Sequence, residues 1–255
     1  MIKNGKIPTE PFKLLYKELY SDQVNGYIES IKPYEPNPIN GAYLRPFFPQ
    51  VGREYENQKI KLLFVGKATD AWVLPADEYD ENKFSHNKDN GLTNRKDQMV
   101  WVEEAFKNSG HEAHNHAKSA FWRFIREITQ EAHNVIDGWS NYMAWTNLYK
   151  LSLERGNPPK SLINAQFDVC AKILRKEIEI FNPTHIIFLT TRWEHAFLVK
   201  LGLNEYGDEI CSGLPLWIQK DVQGTYYIQT VHPERKRRDI ISKLKSEITK
   251  LILSS

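Results

Sequence analysis

The segment Tyr226-Tyr-Ile-Gln-Thr-Val-His-Pro233 runs an apolar strand pattern into a histidine–proline step. A strand end holds His232 rigidly, and Pro233 constrains the backbone as it leaves. Four of the next five residues, Arg235, Lys236, Arg237 and Arg238, are cationic, so an anion is the natural neighbour of that imidazole. A strand-end histidine beside a phosphate-seeking turn suits chemistry on nucleic acid. The plain alternative for this segment alone is a surface histidine ahead of a basic helix start.

Three other polar or flexible positions follow apolar runs in the same way: Gly66 after Lys61-Leu-Leu-Phe-Val65, Asn147 after Tyr142-Met-Ala-Trp-Thr146, and Thr190 after His185-Ile-Ile-Phe-Leu189. These runs are continuous rather than alternating, the pattern of strands buried on both faces. Between them, 117–132, 161–181, 194–201 and 239–253 carry helical periodicity. Strand and helix alternate, which predicts a parallel sheet with helices on both faces. Ligands of such sheets sit beyond the carboxyl ends of the strands, so Gly66, Asn147, Thr190 and His232 should converge. Residues 10–32 read as two short amphipathic helices, with Phe12, Leu15 and Leu19 on one face. Five prolines between 33 and 49 predict an extended loop. Residues 67–98 are polar and irregular, and a loop of that length usually carries function. The division expected is an N-terminal helical and proline-rich extension, 1–59, packed on an α/β domain, 60–255.

Composition narrows the class. At 255 residues and 41% hydrophobic content the chain suits one core. The formal net charge is only +2, so nucleic-acid affinity must come from local clustering. Between His232 and Lys250 seven Lys/Arg stand against three Asp/Glu, which is a patch. Two cysteines, Cys170 and Cys211, support no disulfide framework, and Cys170 fits a helix core. No apolar stretch approaches the roughly 18 residues that span a bilayer, and the first residues lack a signal-peptide pattern, so a cytoplasmic protein with no membrane partner is expected.

Taken in order, Leu62-Leu-Phe-Val-Gly66, Trp145-Thr-Asn147-Leu-Tyr-Lys150, Asn182-Pro183-Thr-His-Ile-Ile-Phe-Leu189 and Val231-His232-Pro233 resemble the uracil-DNA glycosylase superfamily over about residues 60–250. The helix beginning Cys170-Ala-Lys-Ile-Leu is also similar. The resemblance implies a three-layer α/β/α sandwich around a mostly parallel, four-stranded sheet. It implies a cofactor-free, metal-free, monofunctional glycosylase, a monomer that flips a nucleotide from single- or double-stranded DNA and breaks the base–sugar bond. His232 would hydrogen-bond the departing base as negative charge accumulates. Asn147, with Gly66 beside it, would read a pyrimidine edge. An aromatic ring would stack on the base, with Trp72 preferred over Phe84 and Phe121, the last also a natural core residue. Lys67, Arg235, Lys236, Arg237 and Arg238 would grip phosphates.

The first motif departs from the family, which places an acidic residue one or two positions beyond the glycine. Gly66-Lys67-Ala68-Thr69-Asp70 has lysine and alanine there, leaving Asp70 as the nearest carboxylate to stabilise the sugar cation and orient water. The loop also lacks the aromatic that excludes thymine's methyl group. A roomier pocket follows, suited to a bulky modified cytosine such as glucosylated hydroxymethylcytosine in phage DNA, which would make the protein an anti-phage defence enzyme. Uracil excision in base-excision repair, a nucleic-acid-binding protein without catalysis, and a nucleotide- or sugar-processing hydrolase in the same cleft are the alternatives. His111-Glu-Ala-His114-Asn-His116 lacks the zinc-protease spacing, and Trp139-Ser140-Asn141 has no glycine elbow.

Overall fold

In the computed structural model, the structure describes residues 2, 6–19, 45–68, 99, 102–103, 116–152 and 157–255. The strands in chain order are β1 (Arg45–Pro46), β2 (Gln50–Val51), β3 (Leu62–Gly66), β4 (Met143–Asn147), β5 (Leu151–Ser152), β6 (His185–Leu189), β7 (Asp208–Glu209), β8 (Leu216–Lys220) and β9 (Tyr226–Thr230). The helices are α1 (Glu10–Leu19), α2 (Ala120–His133), α3 (Lys160–Phe181), α4 (His195–Leu201) and α5 (Arg238–Ser254).

The protein is α/β with a mostly parallel central sheet. That sheet has seven strands in the order β2-β4-β3-β6-β9-β8-β7, which corrects the expected four. Four strands, β4-β3-β6-β9, are mutually parallel. The additions are antiparallel: β2 on β4 at one edge, β8 and β7 beyond β9 at the other. Leu216-Trp-Ile-Gln-Lys220, which the sequence reading did not pick out, is the hairpin partner of β9, joined to it by a turn at Asp221 to Gly224. Asp221 accepts the amides of Gln223 and Thr225 through Oδ1, both at 2.9 Å, and Gly224 takes φ +95°. The two-residue strands carry too little pattern to read.

β3, β4 and β6 are buried at every position, as continuous apolar strands covered on both faces must be. Alternate residues feed separate cores. Leu63, Val65, Ala144, Ile186 and Phe188 pack with α1, α3 and α4. Leu62, Phe64, Met143, Trp145 and Ile187 pack with α2 and α5. Helix limits follow local chemistry. Ser119 caps α2 by accepting the Trp122 amide, and Asn134 and Asn182 end α2 and α3 in the left-handed conformation that asparagine tolerates. Pro183 then prevents α3 from continuing.

Of the two helices expected within 10–32, α1 is described, with Phe12, Tyr16 and Leu19 buried; 20–32 lie outside the described residues. The N-terminal part does not stop at the sheet: α1 lies against α3, and β2 joins the central sheet. Among the described residues no helix is long and apolar enough to cross a membrane.

Candidate functional site

β3 and β4 pair in register so that Gly66 lies opposite Asn147. The approach is so close that a Cβ on Gly66 would stand 2.3 Å from Asn147 Oδ1 and 3.4 Å from Phe121 Cζ. Glycine is therefore required here by space, since no larger residue leaves the amide where it is. The chain beyond Asn147 keeps pairing with the end of β3: the Leu148 amide donates to Gly66 O at 2.9 Å and the Tyr149 amide to Lys67 O at 3.0 Å.

A buried ionic network fastens this end of β4 from below. Lys150 and Glu177 are both fully buried, with Nζ 2.8 Å from Oε1. Lys150 Nζ also donates to Thr146 Oγ1 at 2.7 Å and to the main-chain oxygen of Asn147 at 2.5 Å, and Thr146 donates to Glu177 Oε2 at 2.8 Å. Burial pushes the Glu177 carboxyl up while Lys150 opposes it. Held this way, Asn147 is 1% exposed, yet among the described residues its side-chain nitrogen has no hydrogen-bond partner. A buried, unpartnered amide donor at a strand end is unusual, because leaving it so costs about 1–3 kcal/mol.

His232 lies beyond β9. Its amide donates to Thr191 Oγ1 at 2.8 Å, and its Nδ1 accepts the Glu234 amide at 3.3 Å. Nδ1 is thus unprotonated, and the proton of the neutral ring sits on Nε2. Burial, and then the positive charge of Lys67, hold the imidazole neutral by lowering its pKa to about 4. The rings of Phe121 and His232 are nearly parallel, with an interplanar angle of 13° and centroids 5.7 Å apart. Phe121 also abuts Trp122 and Trp145 edge-on. Although it opens α2 from a partly buried position, it faces Gly66 and His232 and belongs to the crevice.

The loop after β6 closes the opposite wall and was largely unread in the sequence. Thr191 and Arg192 have φ +55° and +72°, a strained pair for branched and bulky side chains. The conformation turns Thr191 onto the His232 amide and brings Trp193 beneath Lys67, whose Nζ is 5.1 Å from the ring centroid. Trp193 in turn meets Tyr149 edge-on at 5.7 Å. Glu194, 2% exposed, accepts the Thr190 hydroxyl. The only available signal was Thr-Thr-Arg-Trp-Glu at a strand end, which carries no recognised spacing.

Lys67 and Lys236 carry the positive rim. Burial, then repulsion from Lys236, lower the Lys67 amine, with Glu234 and Glu194 opposing. The basic turn divides on inspection. Arg237 is engaged in a two-pronged pair with Asp239 at 3.1 and 2.8 Å, at the N-cap of α5. Arg235, its side chain 91% exposed and with φ +56°, faces Glu234 at 3.6 Å. Arg238 is exposed on the first turn.

The structure therefore gathers Gly66, Lys67, Phe121, Asn147 and His232 at the carboxyl ends of β3, β4 and β9. Asp70, Trp72 and Phe84 lie outside the described residues, as do His111 and His114. Cys170 is a buried helix residue whose thiol is pushed up to about 12, and it takes no part. No protein-family model and no curated protein sequence matches the chain.

Proposed function

We propose that the protein is a DNA glycosylase that removes a modified or damaged pyrimidine, of the uracil-DNA glycosylase type its strand-end residues resemble. The observation that carries this reading is the Asn147 amide, unpartnered among the described residues, beside a neutral His232 whose proton is on Nε2. A flipped pyrimidine offers what both lack: acceptors for the Asn147 nitrogen and an exocyclic O2 that gains negative charge as the glycosidic bond stretches. A neutral imidazole donates to that oxygen without first losing a proton. Lys67 and Lys236 favour the same anion. Phe121, near-parallel to His232, provides a stacking face, and the exposed Arg235 and Lys236 supply phosphate contacts. Asp70 is assigned the orientation of water, and Trp72 a second stacking surface. No cofactor enters the reaction, and the protein acts as a cytoplasmic monomer on DNA.

The missing acid and missing aromatic in Gly66-Lys67-Ala68-Thr69-Asp70 favour a bulky modified cytosine, including the glucosylated base of phage DNA, over uracil. Incubation with uracil-bearing duplexes and with glucosylated phage DNA, followed by scoring of alkali-labile abasic sites, tests both. Base release that disappears in Asn147→Ala and His232→Ala supports the reading. Tight DNA binding with no base release from either substrate would instead favour a binding protein.

A further inference from the structure

We infer that Lys67 is the nucleophile of the reaction: its Nζ attacks C1′ of the flipped nucleotide, and the sugar leaves through a covalent imine rather than a free cation. This deepens the excision reading above and rests on it.

Position comes first. The parallel strands run β4-β3-β6-β9, with α2 following β3 on one face and α4 following β6 on the other. The loops after β3 and β6 therefore diverge, and the crevice they leave is where ligands of open parallel sheets bind. Lys67 is the first residue past β3, and Trp193 comes from the loop past β6. The amine over the indole ring thus spans that divide. Its main chain is fixed by the Tyr149 amide at 3.0 Å, one residue from the Gly66–Asn147 contact.

Charge comes second. A dissociating sugar is cationic and needs a carboxylate close by. Among the described residues, the groups that bear electrostatically on His232 are Lys67, Glu234 and Lys236, a mixture with a positive excess. Such surroundings stabilise the departing base and oppose a free sugar cation. An amine that forms a bond to C1′ removes that opposition, because the positive charge is then carried on nitrogen. Among the described residues Lys67 forms no ion pair, and its burial and the neighbouring Lys236 lower its pKa. Both raise the fraction of neutral, nucleophilic amine.

The step balances without a further reagent. The Nζ lone pair forms the bond to C1′ as the C1′–N bond of the base breaks, and the base takes the proton that the new ammonium loses. The C1′–O4′ bond then opens to give the protonated imine, with O4′ accepting a proton from solvent. Water hydrolyses the imine and returns the amine. Alternatively, loss of a proton from C2′ expels the 3′ phosphate and nicks the strand.

The test uses duplex DNA with a preformed abasic site, so it does not depend on which base the protein removes. The full-length protein is incubated with that duplex and sodium borohydride, and the trapped complex is digested and mapped by mass spectrometry. A covalent complex mapped to Lys67, and absent in Lys67→Gln and Lys67→Arg variants of unchanged melting temperature, is expected. Binding of the duplex without trapping, or trapping mapped to another lysine, would overturn the inference. Base release is scored in parallel on modified substrates. Release leaving only a plain aldehyde abasic site, with no trapping, would sink the nucleophile and leave the excision reading standing. Trapping at Lys67 with no base released would uphold the amine chemistry and count against excision.

Discussion

The ends of β4 and β9 each deliver one polar side chain to the same crevice, by opposite means. Asn147 is locked from beneath by a fully buried lysine, glutamate and threonine. His232 hangs from two main-chain amide bonds, to Thr191 and from Glu234, on the exposed rim of a basic turn. The β4 end has traded two desolvated charges for a fixed amide, whereas the β9 end keeps its charges partly in water, where they can meet a polyanion. On the proposed excision reading, selectivity would be lodged in the rigid group and capture in the turn.

The strongest way to break this contrast is to unpair the buried charge. Glu177→Ala should cost about 3–5 kcal/mol of stability, since it leaves the buried Lys150 without a counter-charge, and denaturant unfolding reads this directly. The Lys150→Met, Glu177→Leu double variant should recover much of the loss. An equal loss in single and double variants would show that packing, not charge, holds β4.

Removing the two delivered groups should reduce catalysis without such a stability penalty. Asn147→Ala and His232→Ala are each expected to lower base release by about 10²–10³-fold, as loss of one donor to a developing anion does, with melting temperatures near wild type. Gly66→Ala sharpens the comparison from the backbone side. Its Cβ would fall 2.3 Å from Asn147 Oδ1, so the amide must move, and base release should fall toward the Asn147→Ala level while His232 titrates as before.

Acidity separates the two ends next. His133, His185 and His232 are each kept neutral chiefly by burial, with pKa lowered to about 4. The folded protein thus binds fewer protons than the unfolded chain, so stability should decline as pH drops below about 6.5 and level off near 4. A His232→Gln variant should show a shallower decline in melting temperature over that window. An identical decline would mean that His232 already titrates as it does in water.

The smallest effects lie on the basic turn. Lys236→Ala should lower the salt dependence of DNA binding by about one phosphate contact, measured by anisotropy across salt concentrations. Arg237→Ala should change it less, because that guanidinium is already committed to Asp239.

The unequal legibility of these parts has physical causes. The parallel strands β3, β4, β6 and β9 were readable because strands covered on both faces must be apolar throughout, and the residue that ends each run stands out. The antiparallel edges were not: β2 and β7 have two residues each and leave no period, and β8 is only partly buried. Asn147 and His232 could be singled out as residue types at strand ends. Lys67, placed among phosphate contacts by its charge, sits in the structure over an indole in the central crevice. Arg237, grouped with its neighbours by charge, is occupied by a carboxylate two residues away.

What the chain determined by itself is the alternation of strand and helix and the chemistry waiting at each strand's end, because burial and backbone geometry act locally. Only the tertiary structure decided which ends meet. The register that sets Gly66 against Asn147, the Thr191 hydroxyl that accepts the His232 amide, and the buried Lys150–Glu177 bridge all join residues far apart in sequence. Their energies arise only once those residues are in contact.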